Sequence, residues 1–175
     1  NNKIFKHIQT EVDKASVKLA EERGACPDAE EYGYKERFSN KTAIAPTASI
    51  SIICGGASPG VEPVAANSYT HKTLSGSYNV RNRYLKKILK KHDKDNDEIW
   101  SSITTNQGSV SHLDFLTENE KDVFKTAFEL DQKWIIELGA DRTSYISQAQ
   151  SINIFLPADV HKRELHKIHF QAWKK

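Results

Sequence analysis

The sequence contains no methionine, position 1 included, which is unusual for an intact translated chain of 175 residues. It also stops at Trp173-Lys174-Lys175 without a Gly or Pro stop signal. The chain is therefore expected to be a piece of something longer. Cysteine is scarce: Cys26 and Cys54 are far apart and neither belongs to a Cys-x-x-Cys pair, so neither a zinc site nor a dithiol motif is supported. One disulfide is arithmetically allowed, but nothing suggests secretion, and both are expected as free thiols. No stretch approaches the roughly 18 consecutive apolar residues of a membrane helix, and the N-terminus has no apolar run with a cleavage signal. No membrane partner is expected, and cytoplasm is the expected location. An excess of one charge is missing too. Lys and Arg number 25 against 23 Asp and Glu, a formal net charge of +2 that excludes the strong clustered excess typical of nucleic-acid binding. Only residues 81–94 are locally basic. Their Tyr84, Leu85, Ile88 and Leu89 follow helical spacing, so the stretch reads as a solvated face opposite a buried one, with a phosphate-contacting patch as the competing reading.

What is present is an ordinary globular composition, 38% hydrophobic and 27% charged, enough for a sizeable core. Ile4, Phe5, Ile8, Val12, Ala15 and Leu19 share one helical face, which Gly24 and Pro27 then end. Residues 28–41 are polar and read as a connection with at most a helical turn, the best candidate for a mobile loop. Residues 42–53 read as a short strand running into the turn-rich Gly55-Gly56-Ala57-Ser58-Pro59-Gly60. Residues 61–80, rich in Thr, Ser, Tyr and Val, read as irregular or short extended structure. Helices are expected over 83–91 and 96–104. Thr117-Glu118-Asn119-Glu120 is a capping box, since the Thr hydroxyl can accept an amide three residues on while the Glu reaches back. It is expected to open the strongest helix of the chain, with Val123, Ala127, Leu130, Trp134 and Leu138 as one buried stripe. Residues 151–156 alternate as a strand does, Pro157 closes them, and Asp159 is expected to cap a last helix through Val160, Leu165, Ile168 and Trp173. The fold class is α/β, with no internal repeat.

Chemistry concentrates at Pro46-Thr47-Ala48-Ser49-Ile50-Ser51, where hydroxyls recur between small residues beside a Gly-Gly segment. Backbone amides and hydroxyls converging at a loop or helix start bind phosphate without any positive side chain. Taken alone, a hydroxyl-rich strand end of purely structural meaning is the stronger reading. His161, His166 and His169 fall in a Lys- and Arg-containing helix, where the spacing of five between His161 and His166 stacks poorly and His166 and His169 could share a ligand but have no third partner, so solvated helix is preferred there. No Ser-His-Asp arrangement is legible, and Glu62 and Asp114 show no pairing.

Five separated blocks, in order, carry a resemblance. Thr42-Ala43-Ile44-Ala45-Pro46-Thr47-Ala48-Ser49-Ile50-Ser51, Ser58-Pro59-Gly60-Val61-Glu62-Pro63 and Asn67-Ser68-Tyr69-Thr70-His71-Lys72-Thr73-Leu74-Ser75-Gly76 come first. Gln148-Ala149-Gln150-Ser151-Ile152-Asn153-Ile154 and His169-Phe170-Gln171-Ala172-Trp173-Lys174 follow, and Glu22-Arg23-Gly24-Ala25-Cys26-Pro27 matches the preceding helix end. Together they resemble the large, catalytic (alpha) subunit of class I ribonucleotide reductases over essentially the whole chain.

The resemblance implies that residues 1–175 are a single segment, the C-terminal part of a ten-stranded α/β barrel of the ribonucleotide reductase and glycyl radical enzyme type. It implies reduction of ribonucleotides to deoxyribonucleotides through a protein thiyl radical. Carried over residue by residue, Pro46, Thr47, Ala48, Ser49 and Ile50 bind the diphosphate of a ribonucleoside diphosphate, Thr47 and Ser49 from side chains and Ala48 and Ile50 from backbone. The implied partners are the remainder of the large subunit, a radical-generating small subunit with a metal-radical centre, and thioredoxin or glutaredoxin as reductant. Nucleotide effectors act on the parent enzyme, and no cofactor or metal is expected on this segment. The family's thiyl-forming cysteine, its neighbouring Asn and Glu, and its redox-active cysteine pair lie upstream of the matched stretch, and its radical-relaying tyrosine pair lies beyond Lys175. Cys26 and Cys54 take none of those roles, no catalytic residue is assigned, and the segment is expected to be inactive alone. A non-catalytic complementing half of a split reductase and another radical enzyme on the same barrel are the alternatives.

Overall fold

In the computed structural model, helix α1 (Asn2–Arg23) follows the expected apolar stripe and extends past it to Gly24, whose φ of 85° is open to glycine and carries the chain out of the helix. The structure describes residues 1–55, 57–74 and 76–175. Gly56 of the glycine-rich stretch and Ser75 of the third matched block lie outside the described residues. The described chain groups into two units, residues 1–61 with 132–154 and 160–175, and residues 62–131 with 155–159.

The first unit starts with α1 and a five-residue helix α2 (Pro27–Glu31), with Pro27 at the first helical position where its missing N–H costs nothing. The polar stretch expected to be a mobile loop is tied to α1. The buried Ser16 hydroxyl accepts the amides of Arg37 and Phe38 at 3.1 and 3.3 Å, and the Lys41 ammonium meets Asp13 at 2.5 Å and Glu36 at 3.2 Å. Burial alone would lower the Lys41 pKa, but its bonds to these two carboxylates outweigh that and raise it. The expected strand over 42–53 is likewise corrected. Extended structure ends before Ala48, where helix α3 (Ala48–Ile53) begins with Thr47 as its N-cap. The Ser51 amide donates to the Thr47 carbonyl at 2.7 Å and its hydroxyl to the Ala48 carbonyl at 2.9 Å.

The second unit holds the apolar core. Strands β1 (Ser68–Thr73) and β2 (Gly76–Arg81) pair antiparallel, from Ser68 opposite Arg81 to Thr73 opposite Gly76. Helix α4 (Arg83–Lys91) is capped by Asn82, whose side-chain oxygen accepts the Tyr84 and Leu85 amides, and α5 (Asp97–Thr105) by Asn96, whose side-chain oxygen accepts the Ile99 amide. Leu85 and Leu89 of α4, Trp100 and Ile103 of α5, and Val110, Leu113, Leu116 and Phe124 form one buried cluster. Asn67, itself buried, joins its parts: its amide nitrogen donates to the carbonyls of Gly108 at 3.0 Å and Phe124 at 2.7 Å, while its oxygen accepts from Asn82 at 2.8 Å. Gly108 is required there, since its φ is +82° and a Cβ would lie 2.6 Å from Ala66 Cα.

The capping box forms as read, with Thr117 and Glu120 exchanging bonds at the start of α6 (Glu118–Val123). The long helix it was expected to open does not. Phe124 turns into the core, and Thr126 with Glu129 builds a second reciprocal box on a short 3-10 turn, Ala127–Glu129. Two start signals in succession divide the expected stripe, and Val123 is left 67% exposed.

The first unit resumes with α7 (Lys133–Thr143), whose Ile135 and Ile136 are buried while Trp134 and Leu138 are exposed. Its buried Arg142 donates to the Gln150 side chain at 3.1 Å and sits 5.5 Å from the Phe5 ring centre. The last helix, α8 (Lys162–Lys174), is capped by His161, whose Nδ1 accepts the Arg163 amide at 3.1 Å, and not by Asp159. Its apolar residues Leu165, Phe170 and Trp173 are exposed.

The expected strand over 151–156 is also absent. Its one neighbour, the parallel bridge of Ile44 to Gln150, ends with the Ser151 amide on the Ile44 carbonyl at 2.8 Å. Beyond it Ile152 packs against Gly139, where a Cβ would fall 2.7 Å from its Cδ1. Alternation aims side chains, but a strand also needs a backbone neighbour. Among the described residues the structure is helix-rich with one two-stranded antiparallel sheet, which does not by itself lay out the expected part of a ten-stranded α/β barrel.

Asn67→Ala removes three side-chain hydrogen bonds and takes the donor from the buried Phe124 carbonyl, while the Gly108 carbonyl keeps the Asn67 backbone amide at 3.1 Å, so the second unit should lose about 3 kcal/mol, read from the urea midpoint. A loss below about 1 kcal/mol would show that the Phe124 carbonyl finds another donor. Acid should act on the same unit. The Thr117 amide first, and then the His92 ring, hold Glu120 below its ordinary 4.5. Burial pushes Glu129 up, but its bonds from Ser109 and Thr126 prevail and hold it below 4.5 as well. Folded-state values below the unfolded ones give stability that is present above about pH 4.5 and lost as pH falls through them. The double substitution Glu120→Gln with Glu129→Gln should flatten that acid limb in denaturation measured across it. An unchanged limb would assign acid sensitivity to other carboxylates.

Candidate functional site

The loop at 45–47 is placed by pairing between segments far apart in sequence. The Ser147 hydroxyl accepts the amides of Lys41 at 2.9 Å and Thr42 at 2.8 Å, and the Ser147 amide donates to the Thr42 hydroxyl at 3.1 Å. Three backbone bonds continue the pairing: Gln148 N–H to Thr42 C=O at 3.0 Å, Ile44 N–H to Ala149 C=O at 3.2 Å, and Ser151 N–H to Ile44 C=O at 2.8 Å. The result is an extended segment, a three-residue turn and a helix start. In α/β proteins this succession presents amides to phosphate groups.

All five predicted binding residues fall on that turn and start. Pro46 is exposed in the turn, and Thr47 is the N-cap of α3, its own amide already donated to the Pro59 carbonyl at 3.0 Å. Ala48, Ser49 and Ile50 are the first three helical residues, so their amides have no acceptor within the helix. The first intrahelical bond belongs to Ser51. Thr47 uses no side-chain cap bond, which leaves its hydroxyl available, and Ser49 is exposed. No acidic residue stands in the first turn to repel an anion. The arrangement can donate hydrogen bonds to an oxyanion from three amides and two hydroxyls. It contains no general acid or base.

Sequence reading missed the Thr42–Ser147 clasp, because nothing local marks two hydroxyl residues separated by 105 positions as partners. It also missed a close pair in the second unit, Ser102 Oγ to His112 Nε2 at 2.5 Å. The His112 Nδ1 is buried without a hydrogen-bond partner, so no carboxylate orients the ring and the pair lacks the third member of a nucleophilic triad. His161, His166 and His169 are exposed on α8, and no group of three or more His, Cys, Asp or Glu residues able to hold a metal occurs among the described residues. Cys26 is partly buried and Cys54 exposed, both as free thiols. No helix of the described residues is long and apolar enough to cross a membrane.

Comparison with known proteins gives a consistent result. Residues 28–175 match the family model of the ribonucleotide reductase barrel domain. The chain is 50% identical over 178 residues to the ribonucleoside-diphosphate reductase large subunit of Invertebrate iridescent virus 6, covering 99% of this chain and 18% of that protein. The corresponding subunit of Invertebrate iridescent virus 3 is 44% identical over 176 residues, covering 99% of this chain and 28% of that protein. Among solved structures, the Actinobacillus ureae class Id ribonucleotide reductase alpha subunit superposes with a TM-score of 0.88 at 40% identity, over 99% of this chain and 31% of that one. The chain thus spans less than a third of the length of these relatives.

Proposed function

The chain belongs to the ribonucleotide reductase barrel-domain family, and from that premise we propose that it forms the C-terminal part of the catalytic barrel of a ribonucleoside-diphosphate reductase large subunit and supplies the loop that holds the substrate's diphosphate. The observation that carries this reading is the extended segment, turn and helix start at 42–50, with the amides of Ala48, Ser49 and Ile50 unused by the helix. Thr47 and Ser49 add hydroxyl donors, Pro46 stiffens the turn, and the small side chain of Ala48 leaves room for a phosphate to approach the backbone.

In this reading the chain binds and orients the substrate, and the thiyl chemistry belongs to other parts of the large subunit. Cys26 caps α2 and Cys54 ends α3, and neither is assigned to radical or redox work. The radical comes from a metal-bearing small subunit, electrons come from thioredoxin or glutaredoxin, and nucleotide effectors act elsewhere on the large subunit, in the cytoplasm. Orienting the diphosphate fixes where the ribose lies relative to the reacting thiol.

In the assembled enzyme, Thr47→Ala and Ser49→Ala should each raise the KM for a ribonucleoside diphosphate about tenfold, the effect of one lost hydrogen bond to a charged group. Unchanged KM in both variants would remove the loop from substrate binding. The 175-residue chain by itself should show no turnover, and mixing it with the upstream part of the large subunit and the small subunit should restore ribonucleoside diphosphate reduction. A folded but inactive mixture would favour a non-catalytic complementing role.

A further inference from the structure

Helix α4 is the least balanced element of the chain. On other helices several lysines pair with a carboxylate three or four residues away, as in Lys14–Glu11, Lys18–Glu22, Lys121–Glu118, Lys125–Asp122 and Lys167–Glu164. The α4 sequence RYLKKILKK has no acid, and Lys86, Lys87, Lys90 and Lys91 form no ion pair among the described residues. Two of them, Lys87 and Lys91, border an open cleft of about 360 Å³. Tyr84, Lys87, Ile88 and Lys91 line one side at i, i+3, i+4 and i+7, so a single face of α4 supplies both cations and apolar surface. Val123 and Phe124 from the end of α6 line the other side. Tyr84 is 56% exposed, although the Arg83 and Lys87 cations stand 4.9 and 5.8 Å from its ring centre. The one carboxylate lining the cleft, Glu120, is engaged by His92 and Thr117.

We propose that this cleft between α4 and α6 is a docking groove for an acidic protein segment with an apolar anchor, its carboxylates meeting Lys87 and Lys91 and its apolar side chain resting on Tyr84, Ile88 and Val123. The charge is one-sided and the floor is hydrocarbon, a combination that suits a peptide. A nucleic acid calls for a wider cationic field than a chain of net charge +2 offers. A lipid surface calls for an outward apolar face, and the leucines of α4, Leu85 and Leu89, are buried in the core. The groove shares no residue with the phosphate-binding loop.

The test is fluorescence anisotropy on the full chain, with a labelled amphipathic peptide carrying Glu along one helical face and Leu and Phe along the other. Saturable binding should weaken with salt and fall about tenfold when Gln replaces the peptide's Glu residues. The double variant Lys87→Glu with Lys91→Glu should lose a similar factor and gain affinity for the Lys counterpart of the peptide. Val123→Asp should weaken binding with the cations intact. All three positions are exposed, so thermal unfolding should be unchanged. Equal affinity of the charge-reversed variant, no saturable binding of the acidic peptide, or binding confined to an oligonucleotide or to anionic phosphatidylserine vesicles would each overturn the proposal.

Discussion

The parallel pairing of residues 42–44 with residues 148–151 is the constraint from which the candidate site follows. A six-residue helix has almost no stability of its own, because nucleating the first turn outweighs what so few hydrogen bonds return. Helix α3 therefore needs its start fixed from outside. The Ser147 hydroxyl and three backbone bonds hold the preceding segment extended, and the Thr47 amide is fixed by Pro59. Between these two anchors the turn has little freedom, so the first three amides of α3 emerge in a set direction. Preorganisation of this kind makes neutral donors effective, since ordering is complete before the ligand arrives.

The second unit meets a comparable demand in another way. Its apolar cluster supplies the burial, but that cluster is not directional. Asn67 supplies direction, because one amide side chain bonds the Gly108 and Phe124 carbonyls and the Asn82 amide, and each belongs to a different part of the unit. A satisfied buried polar group specifies one arrangement where methyl groups would accept several. Asn82 passes that order on, since the oxygen beside the amide it gives to Asn67 accepts the first-turn amides of α4.

Legibility in the sequence followed locality. Helix α4 has the bounds its apolar spacing predicts, the Thr117–Glu120 box formed, and the Gly24 exit stands where expected. Each depends on contacts within a few residues. The failures all depend on something distant or competing. The helix expected across 117–138 was divided because Thr126 and Glu129 form a second start signal with the same logic as the first. Residues 151–156 kept their alternation but lacked a neighbouring backbone beyond Ser151. Asp159 lost the α8 cap to His161, whose ring nitrogen was not read as a capping acceptor. At the loop proposed to hold the diphosphate the residue types were legible and their purpose was not. Hydroxyls between small residues fit a strand end as well as a helix start, and only ordered blocks on both sides, followed by the clasp, separate the two.

Charge is divided between the two kinds of surface. The loop has no lysine or arginine from Thr42 to Cys54, while α4 carries four lysines and an arginine in nine residues. In the proposed role, a diphosphate held by amide and hydroxyl dipoles would be recognised by shape and donor geometry, and the product would leave without breaking a strong ion pair. Lysines contribute the opposite quality, a field that extends roughly a Debye length of 8 Å and attracts a partner before contact. A substrate that must be placed to a fraction of an ångström suits the first arrangement, and a partner segment that must first be found suits the second. The separation of dipoles from cations along the sequence is therefore consistent with two recognition tasks of different precision.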